Sequence, residues 1–487
     1  MSKGVTARQG KLPNELAISF LGIQAIWLLF SLIPAISSNN RLLLLAACIS
    51  VASFIFWHHT KDLLLIKFVF GITITIGILV AALARVINPL SSYVLHFLSL
   101  GIDNDPHVQM FKEIAKSNGQ IRIVSYPPGQ QASWNLISKI SNLSSDETKE
   151  VISSFGALTI LTWILVIALS SILIIRQTKF TFESFAKIYI FFFVFFFGVF
   201  SLMVVGGYPH YMWSILILLL VAIVLQKNDS RNSKVIALLL GTWILFLTGI
   251  IFAPVTGLTL IAILFYEARL KSVQNPDMRK KKENYKTVGV FLALCAVAIW
   301  SLNTYSLTWL TLDASKEPLS IVHLGSSLVL LVAIFVSSSK DSLKMSNELR
   351  YLVLSLCVVS FVMSAFTLIS SNTISYYAVK QIQFSLLIII AIVLASVLVS
   401  KSKIPIQIAI LLLVLVQFIP SLNPKVFDGP IMGSGLQAFS SLLNISDRSQ
   451  VTFDANSLIE LSDQIDLLET ECAIFWNPEE SLISKST

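Results

Sequence analysis

Residues 153–175 read SSFGALTILTWILVIALSSILII, a run without a single charged side chain. A helix of this length covers about 30 Å, which is the thickness of the hydrocarbon core of a bilayer. Backbone polar groups in lipid must bond to one another within the segment, and this requirement favours an α-helix. The run therefore predicts a membrane-spanning helix.

Similar apolar runs recur on both sides of this one, along most of the chain. The 487 residues are 55% hydrophobic and only 13% charged, whereas soluble domains carry about 25% charged residues. We therefore predict an all-α polytopic membrane protein with about 13 transmembrane helices. The predicted spans are 15–37, 42–57, 66–87, 153–175, 186–205, 211–226, 235–252, 254–270, 287–309, 319–336, 350–371, 381–400 and 404–422.

The distribution of basic residues predicts the orientation of these spans. If the N-terminus is cytoplasmic, 23 of the 35 Lys and Arg residues fall on the cytoplasmic side. Cytoplasmic connections attract Lys and Arg, so we predict a multi-pass protein of the cell membrane with a cytoplasmic N-terminus and an extracytoplasmic C-terminus. The basic residues lie between spans and not along one face, so nucleic acid is not an expected partner.

The same reading divides the chain into two parts. Residues 1–422 form the transmembrane domain, in which the connection 88–152 is a long extracytoplasmic loop. Residues 423–487 change to a mixed, acidic composition and are predicted to form a small extracytoplasmic domain. This tail is too short to bury a large core of its own, so we expect it to lean on the helical bundle.

The long loop contains the sequence GIDNDPHVQMFKEIAKSNGQ at residues 101–120. Asp105 followed by Pro106 is typical of a helix start with the carboxylate as N-cap, and Gly119 is typical of a helix end. Apolar residues at three- and four-residue spacing predict an amphipathic helix lying in the membrane interface. These residues are Val108, Phe111, Ile114 and Ala115.

The second half of the loop begins with Tyr126-Pro127-Pro128-Gly129. Each proline pushes its predecessor towards an extended conformation, so this tetrapeptide is not helical. A further helix with mixed polar and apolar residues is predicted to start at Trp134.

Asp103 and Asp105 are the candidate catalytic residues. A carboxylate near a low-dielectric surface has a pKa raised towards neutrality, which suits a general base acting on a hydroxyl group. The plainer alternative is that Asp105 caps the helix and Asp103 faces water. If one of them is a cap it is Asp105, which leaves Asp103 as the better candidate. The two acids could also hold a divalent cation, but no ligand set for a metal is evident.

Histidine and tyrosine residues near these acids are candidates for substrate binding. His107 lies two residues beyond Asp105, and His210 lies in the predicted outer connection GGYPHY. Tyr126 is a further candidate, although the turn that contains it could be only a rigid corner. The aromatic residues beside His210 are equally well explained as an interfacial belt.

The stretch Tyr376-Tyr377-Ala378-Val379-Lys380 lies at the edge of a predicted span on the outer side. Lys380 could bind a phosphate group and stabilise it as a leaving group. The alternative is a lysine that extends to the interface without a ligand. Tyr376 and Tyr377 are candidate substrate-binding residues for the same reason.

Taken together, the run GIDNDPHVQMF, the downstream YPPG and the YYAVK stretch resemble the GT-C glycosyltransferases, in particular the actinobacterial arabinofuranosyltransferase-like branch. The resemblance implies transfer of a sugar from a polyprenyl-phosphate carrier to the hydroxyl group of a glycan acceptor, with inversion at the anomeric carbon. Asp103 or Asp105 would then be the base, and Lys380 would hold the carrier phosphate. Two spans precede the span leading into the acidic loop, where many GT-C enzymes have one.

The main alternative is a secondary transporter or flippase of lipid-linked sugars. Such proteins usually place polar or charged residues at mid-membrane in broken helices. The centres of the predicted spans are almost free of such residues. A polymerase or ligase of another fold and a non-catalytic scaffold are further alternatives.

Overall fold

The protein is helical throughout most of the part that the computed structural model describes. The described residues are 12–33, 40, 63–90, 104–117, 120–121, 128–143, 148–175, 209–226, 231–274, 316–317, 345–371, 374–375, 378, 381–382, 384–385, 387–389 and 391–392. The predicted spans 42–57, 186–205, 287–309, 319–336 and 404–422 and the predicted domain 423–487 lie outside these residues.

Nine α-helices have both of their ends in the described ranges. They are α1 (Leu12–Ser31), α2 (Leu63–Ile87), α3 (Asn104–Lys116), α4 (Gly129–Ile140), α5 (Thr148–Ile175), α6 (Pro209–Leu225), α7 (Arg231–Thr248), α8 (Ala253–Gln274) and α9 (Asn347–Ser371). Short 3₁₀ turns follow α2 at Asn88–Leu90 and α7 at Ile250–Phe252. Two-residue strands β1 (Lys316–Glu317) and β2 (Ile374–Ser375) pair antiparallel, with Lys316 opposite Ser375.

Three of these helices are long and apolar enough to cross a membrane. The qualifying stretches are Asn14–Ser31 in α1, Lys149–Leu173 in α5 and Asn347–Phe366 in α9. Shorter apolar helical stretches occur at Ile74–Ile87, Tyr211–Leu225 and Ile250–Tyr266. Apart from the two-residue strands β1 and β2, the described chain is therefore a bundle of helices, three of which have the length and composition of membrane spans.

The positions of the described helices follow the predicted spans, but several boundaries differ. α1 ends at Ser31, although the predicted span runs to residue 37. Pro34 explains the earlier end, because a proline disfavours helical conformation in the residue before it. α7 ends at Thr248 instead of residue 252, and Gly249 follows it outside the helical conformation. Its Cα lies so close to Ser214 that a side chain there would collide with the serine hydroxyl.

The centre of the bundle is α6. Every residue from Tyr211 to Leu225 is buried, and the helix packs against α1, α4, α5, α7 and α9. A helix that is apolar on all sides is buried either in a protein core or in a membrane. The sequence of α6 meets this condition because it contains no charged residue between its ends.

Apolar side chains are exposed on the outside of the bundle. On α9 the stripe of Val358, Val362, Phe366 and Ile369 is exposed, and Ile369 reaches 84%. On α2 the side chains of Ile74, Ile78 and Val86 are exposed. Contiguous apolar surface of this kind is rare on soluble monomers. Such surface marks a region of contact with a membrane or with another protein.

Contacts between helix ends define two opposite ends of the bundle. At the end that we call the α4 end, Gly129 packs on Leu247 at the end of α7, and Tyr211 stacks on Phe384. At the opposite end, which we call the Lys234 end, Lys234 of α7 pairs with Glu348 of α9 at 2.5 Å. There the Ser346 hydroxyl also donates to the carbonyl of Leu225.

Candidate functional site

The candidate acids lie at the start of α3. Asp105 is in the first turn of this helix, which begins at Asn104. An N-cap directly precedes the first helical residue, so the prediction of Asp105 as the N-cap is two residues late, within the usual uncertainty of a helix boundary. Proline lacks a backbone N–H group. Pro106 is tolerated here because the N–H groups of the first turn have no acceptor within the helix. Asp103 and the side chain of Asp105 lie outside the described residues.

The apolar face of α3 contacts protein. Val108, Phe111, Ile114 and Ala115 are all buried, so the predicted amphipathic face is confirmed. The expectation that this face lies in the membrane interface is not met for Phe111, which packs edge-on against Trp134 and Phe155, with ring centroids 6.4 and 6.2 Å away. Burial against α4 and α5 removes the face from lipid and fixes α3 on the bundle.

His107 is a buried residue that joins α3 to α4. Its Nδ1 lies 2.8 Å from Nε2 of Gln131, and its side chain is only 4% exposed. The histidine predicted as a substrate ligand therefore also has a structural contact that holds the two loop helices together.

α4 begins five residues before Trp134, where the sequence predicted its start. The helix starts at Gly129, so the prediction that residues 126–129 are non-helical is wrong for this residue. Pro128, directly before it, makes no side-chain hydrogen bond that caps the helix. The sequence GQQASWNLISKI is rich in polar residues, yet nine of its twelve residues are buried. A polar pattern normally predicts exposure, and this is why the sequence did not reveal a helix inserted into the bundle.

Several specific contacts hold α4 in place. The indole Nε1 of Trp27 donates to the carbonyl of Ala132 at 2.8 Å. Gln24 Nε2 donates to the Ser133 hydroxyl at 3.0 Å. A Cβ added at Gly129 would lie 2.9 Å from the Cβ of Leu247 and closer still to its carbonyl group. The absence of a side chain at residue 129 lets the start of α4 approach the end of α7.

One face of α4 keeps polar atoms without partners. On α4, buried nitrogen or oxygen atoms without a hydrogen bond occur in Gln130, Gln131, Trp134, Asn135 and Ser138, and seven other described residues also carry such atoms. Gln130 is the extreme case, since it is fully buried and neither atom of its amide is paired. Each such atom lowers the free energy of unfolding by about 1–3 kcal/mol, so this face destabilises the fold.

Lys112 is a buried cation that sequence reasoning did not single out. It lies on α3 and is 5% exposed, and it takes part in an interaction with another group. A lysine in an amphipathic helix normally extends to solvent, so no feature of the sequence indicates its burial. It brings a positive charge into the helix that carries Asp105, two turns beyond that residue.

The remaining predicted site residues are only partly described. His210 lies in the first turn of α6, but its side chain is outside the described residues, as are Tyr126, Tyr376, Tyr377 and Lys380. The neighbours of His210 and Lys380 do meet, because Tyr211 stacks on Phe384 with ring centroids 5.1 Å apart. The start of α6 therefore meets the chain at residue 384.

The described residues contain no group of three or more His, Cys, Asp or Glu side chains that could hold a metal ion. Asp103 and the side chain of Asp105 are not among the described residues. The expectation of a cation between the two acids stays a prediction.

Comparison with known proteins identifies no relative. No family model matches the chain, and neither a curated protein nor a solved structure matches it. The function has to be argued from the sequence motifs and from the helices described above.

Proposed function

We propose that the chain is an integral membrane glycosyltransferase. It would move a sugar from a polyprenyl-phosphate carrier to a hydroxyl group of a glycan acceptor on the extracytoplasmic side. The observation that carries the proposal is the fixed position of α3, the helix that has Asp105 in its first turn. The aromatic contacts of Phe111 and the contact between His107 and Gln131 hold this helix on the bundle. A general base needs such a fixed position relative to its substrate.

The proposed reaction is a single displacement. Asp103 or Asp105 removes the proton of the acceptor hydroxyl group, and the acceptor oxygen attacks the anomeric carbon as the bond to the carrier phosphate breaks. Lys380 stabilises the charge of the departing polyprenyl phosphate. His107, Tyr126, His210, Tyr376 and Tyr377 are the proposed substrate-binding residues.

The proposal includes the predicted arrangement in the membrane: about 13 spans, a cytoplasmic N-terminus and residues 423–487 as an outer domain. Contacts between connections support the grouping of helix ends. The connections predicted to lie outside near residues 316 and 374 meet in the β1–β2 pair. Lys234 and Glu348, both near connections predicted to lie inside, form an ion pair.

The buried polar face of α4 favours a second candidate, a transporter or flippase of lipid-linked sugars. Gln24 of α1 also keeps an unpaired, buried Oε1 beside α4. Polar groups of this kind inside a bundle are a feature of transport sites. The fixed α3 helix with its acid favours the enzyme.

The test uses purified full-length protein and a panel of polyprenyl-phosphate sugars, with released polyprenyl phosphate as the readout. We expect release with at least one sugar and a loss of at least about 100-fold in the Asp103→Asn/Asp105→Asn double variant, because general base catalysis contributes about 10²–10⁴-fold. Glu113→Gln is the matched control, since Glu113 is an exposed acid on the same helix. It should keep full activity.

Two outcomes would reject the enzyme. One is the absence of release with every donor in the panel. The other is equal activity of the double variant and the wild type. Movement of intact lipid-linked sugar across proteoliposomes without any release would favour the transporter.

A further inference from the structure

Three helices change from charged to apolar sequence near the Lys234 end of the bundle. On α9 the last charged residue is Arg350, four positions into the helix. On α7 the last charged residue is Lys234, and the sequence stays uncharged to the end of the helix. α8 runs in the opposite sense: it is uncharged from its start until Glu267. Each helix therefore has one boundary between a charged part and an apolar part.

Contacts between the helices bring these three boundaries to the same height. Lys234 pairs with Glu348 across α7 and α9. Tyr266 directly precedes the boundary on α8 and Tyr351 directly follows the one on α9, and their ring centroids are 5.9 Å apart. Tyrosine is enriched where hydrocarbon meets water, because its ring is apolar and its hydroxyl group is polar. We call the height of these two rings the tyrosine level, and it has the features of a membrane surface.

Apolar side chains are exposed on α8 and α9 beyond the tyrosine level. On α8, Leu258 is 39% and Phe265 is 64% exposed. On α9, Val362 is 60% exposed. The two helices pack side by side. A shared apolar surface that ends at one height on both helices fits the acyl chains of a bilayer.

The two helices differ in how far they extend from the tyrosine level. α9 continues from Tyr351 to Ser371, which is about 30 Å at 1.5 Å per residue and equals the thickness of a typical hydrocarbon layer. α8 begins at Ala253, only about 20 Å from Tyr266. α7 ends at a similar height, because the short 3₁₀ turn joins it to the start of α8. The start of α8 is therefore about 10 Å lower than the end of α9.

The start of α8 is partly open to the surroundings of the bundle. The preceding turn from Gly249 to Phe252 is buried, whereas Pro254 in the first turn of α8 is exposed. A helix start has N–H groups without acceptors in its own helix, and hydrocarbon cannot supply such acceptors. This exposed helix start favours lipid headgroups and water at the height of Pro254.

We infer that the bilayer is about 10 Å thinner beside α8 than beside α9, so that this side of the bundle is a surface fitted to a locally thinned membrane. Lipids around a short apolar segment adjust by thinning. The surface has the same role in an enzyme and in a transporter. In the proposed glycosyltransferase, the thinning lets the headgroup of a lipid-linked substrate reach the height at which Gly129 of α4 meets Leu247 of α7.

Spin labels at Pro254 and Val362 compare the two helices at equal height. These residues lie about 18 and 17 Å from the tyrosine level, and both are exposed. The full-length protein, with its four native cysteines replaced by serine, is reconstituted in vesicles of dioleoylphosphatidylcholine. We expect the label at residue 362 to collide mainly with oxygen and the label at residue 254 mainly with a water-soluble nickel chelate. Leu258, one turn further into α8, is the control and should collide mainly with oxygen.

Two glutamate variants give a second, independent comparison at the same two positions. A carboxylate in hydrocarbon is unfavourable, whereas one at a helix start in the headgroup layer is favourable. Val362→Glu should therefore lower the melting temperature of the protein in these vesicles by several degrees. Pro254→Glu should leave the melting temperature unchanged or raise it.

Three results would overturn the inference. A label at residue 254 that collides mainly with oxygen would show that hydrocarbon continues past the start of α8. Equal losses of melting temperature in the two glutamate variants would show the same. Labels at residues 258 and 362 that meet neither reagent would show that protein, and not lipid, covers the surface. Sugar transfer is not measured in either experiment, so a failure of the proposed enzyme would leave these results unchanged.

Discussion

Gly129 is the residue at which the polar helix α4 makes its closest approach to the rest of the bundle. A Cβ at this position would lie 2.7 Å from the carbonyl carbon of Leu247 and 2.9 Å from its Cβ. The neighbouring atoms belong to the backbone of a packed helix and cannot move aside easily. The glycine is therefore required by packing at this point, and a larger residue has to displace one of the two helices.

We expect Gly129→Ala to lower the free energy of unfolding by about 1–3 kcal/mol, because overpacking of a rigid contact has costs of this size. Gly257→Ala on α8 is the control, since nothing lies within 4 Å of a Cβ added there. It should be neutral or stabilising by up to about 1 kcal/mol through helix propensity. Thermal unfolding monitored by tryptophan fluorescence measures both. Equal effects of the two substitutions would contradict the packing at residue 129.

At the scale of single elements, the sequence predicted helices better than it predicted their surroundings. The amphipathic spacing of Val108 and Phe111 correctly gave α3, because spacing alone decides which face of a helix is apolar. It could not decide whether lipid or protein covers that face, since both are apolar. The sequence predicts the start of α4 at Trp134, which is too late, because the Gly-Gln-Gln start of the helix has neither an apolar period nor a capping residue. Burial of its polar side chains depends on distant helices, which local sequence does not report.

The ion pair between Lys234 and Glu348 links α7 to α9 at the Lys234 end. Lys234 is 7% exposed and Glu348 is 22% exposed. Removing one partner of a buried pair costs about 3–5 kcal/mol, and the partial exposure of Glu348 reduces this. We expect Lys234→Met to cost about 1–3 kcal/mol in thermal unfolding experiments.

The double variant Lys234→Met/Glu348→Leu is the comparison for this ion pair. It should be more stable than the sum of the two single losses indicates, because no carboxylate then remains without its cation. A double variant that loses the full sum would show that the two side chains act independently.

At the scale of the whole molecule, the apolar stripe of α9 indicates which surface faces lipid. Val358, Val362 and Phe366 are 46, 60 and 57% exposed. Spin labels at these three positions should collide readily with oxygen, which concentrates in lipid, and rarely with a water-soluble nickel chelate. A label at the fully buried Leu352 should meet neither reagent, and a label at the exposed Asn347 should meet the chelate. Frequent collisions of the nickel chelate along the stripe would contradict a membrane position for α9.

The proposed function requires that the α4 end of the bundle faces the extracytoplasmic side. A lipid-linked sugar can be transferred to a surface glycan only outside the cell. Single cysteines at Glu113 and Asn232, both exposed, report on the α4 end and the Lys234 end in a chain whose four native cysteines are replaced by serine. Labelling of intact cells with a membrane-impermeant maleimide should modify residue 113 at once and residue 232 only after permeabilisation. Labelling of residue 232 in intact cells with protection of residue 113 would place the candidate acids in the cytoplasm and contradict the proposal.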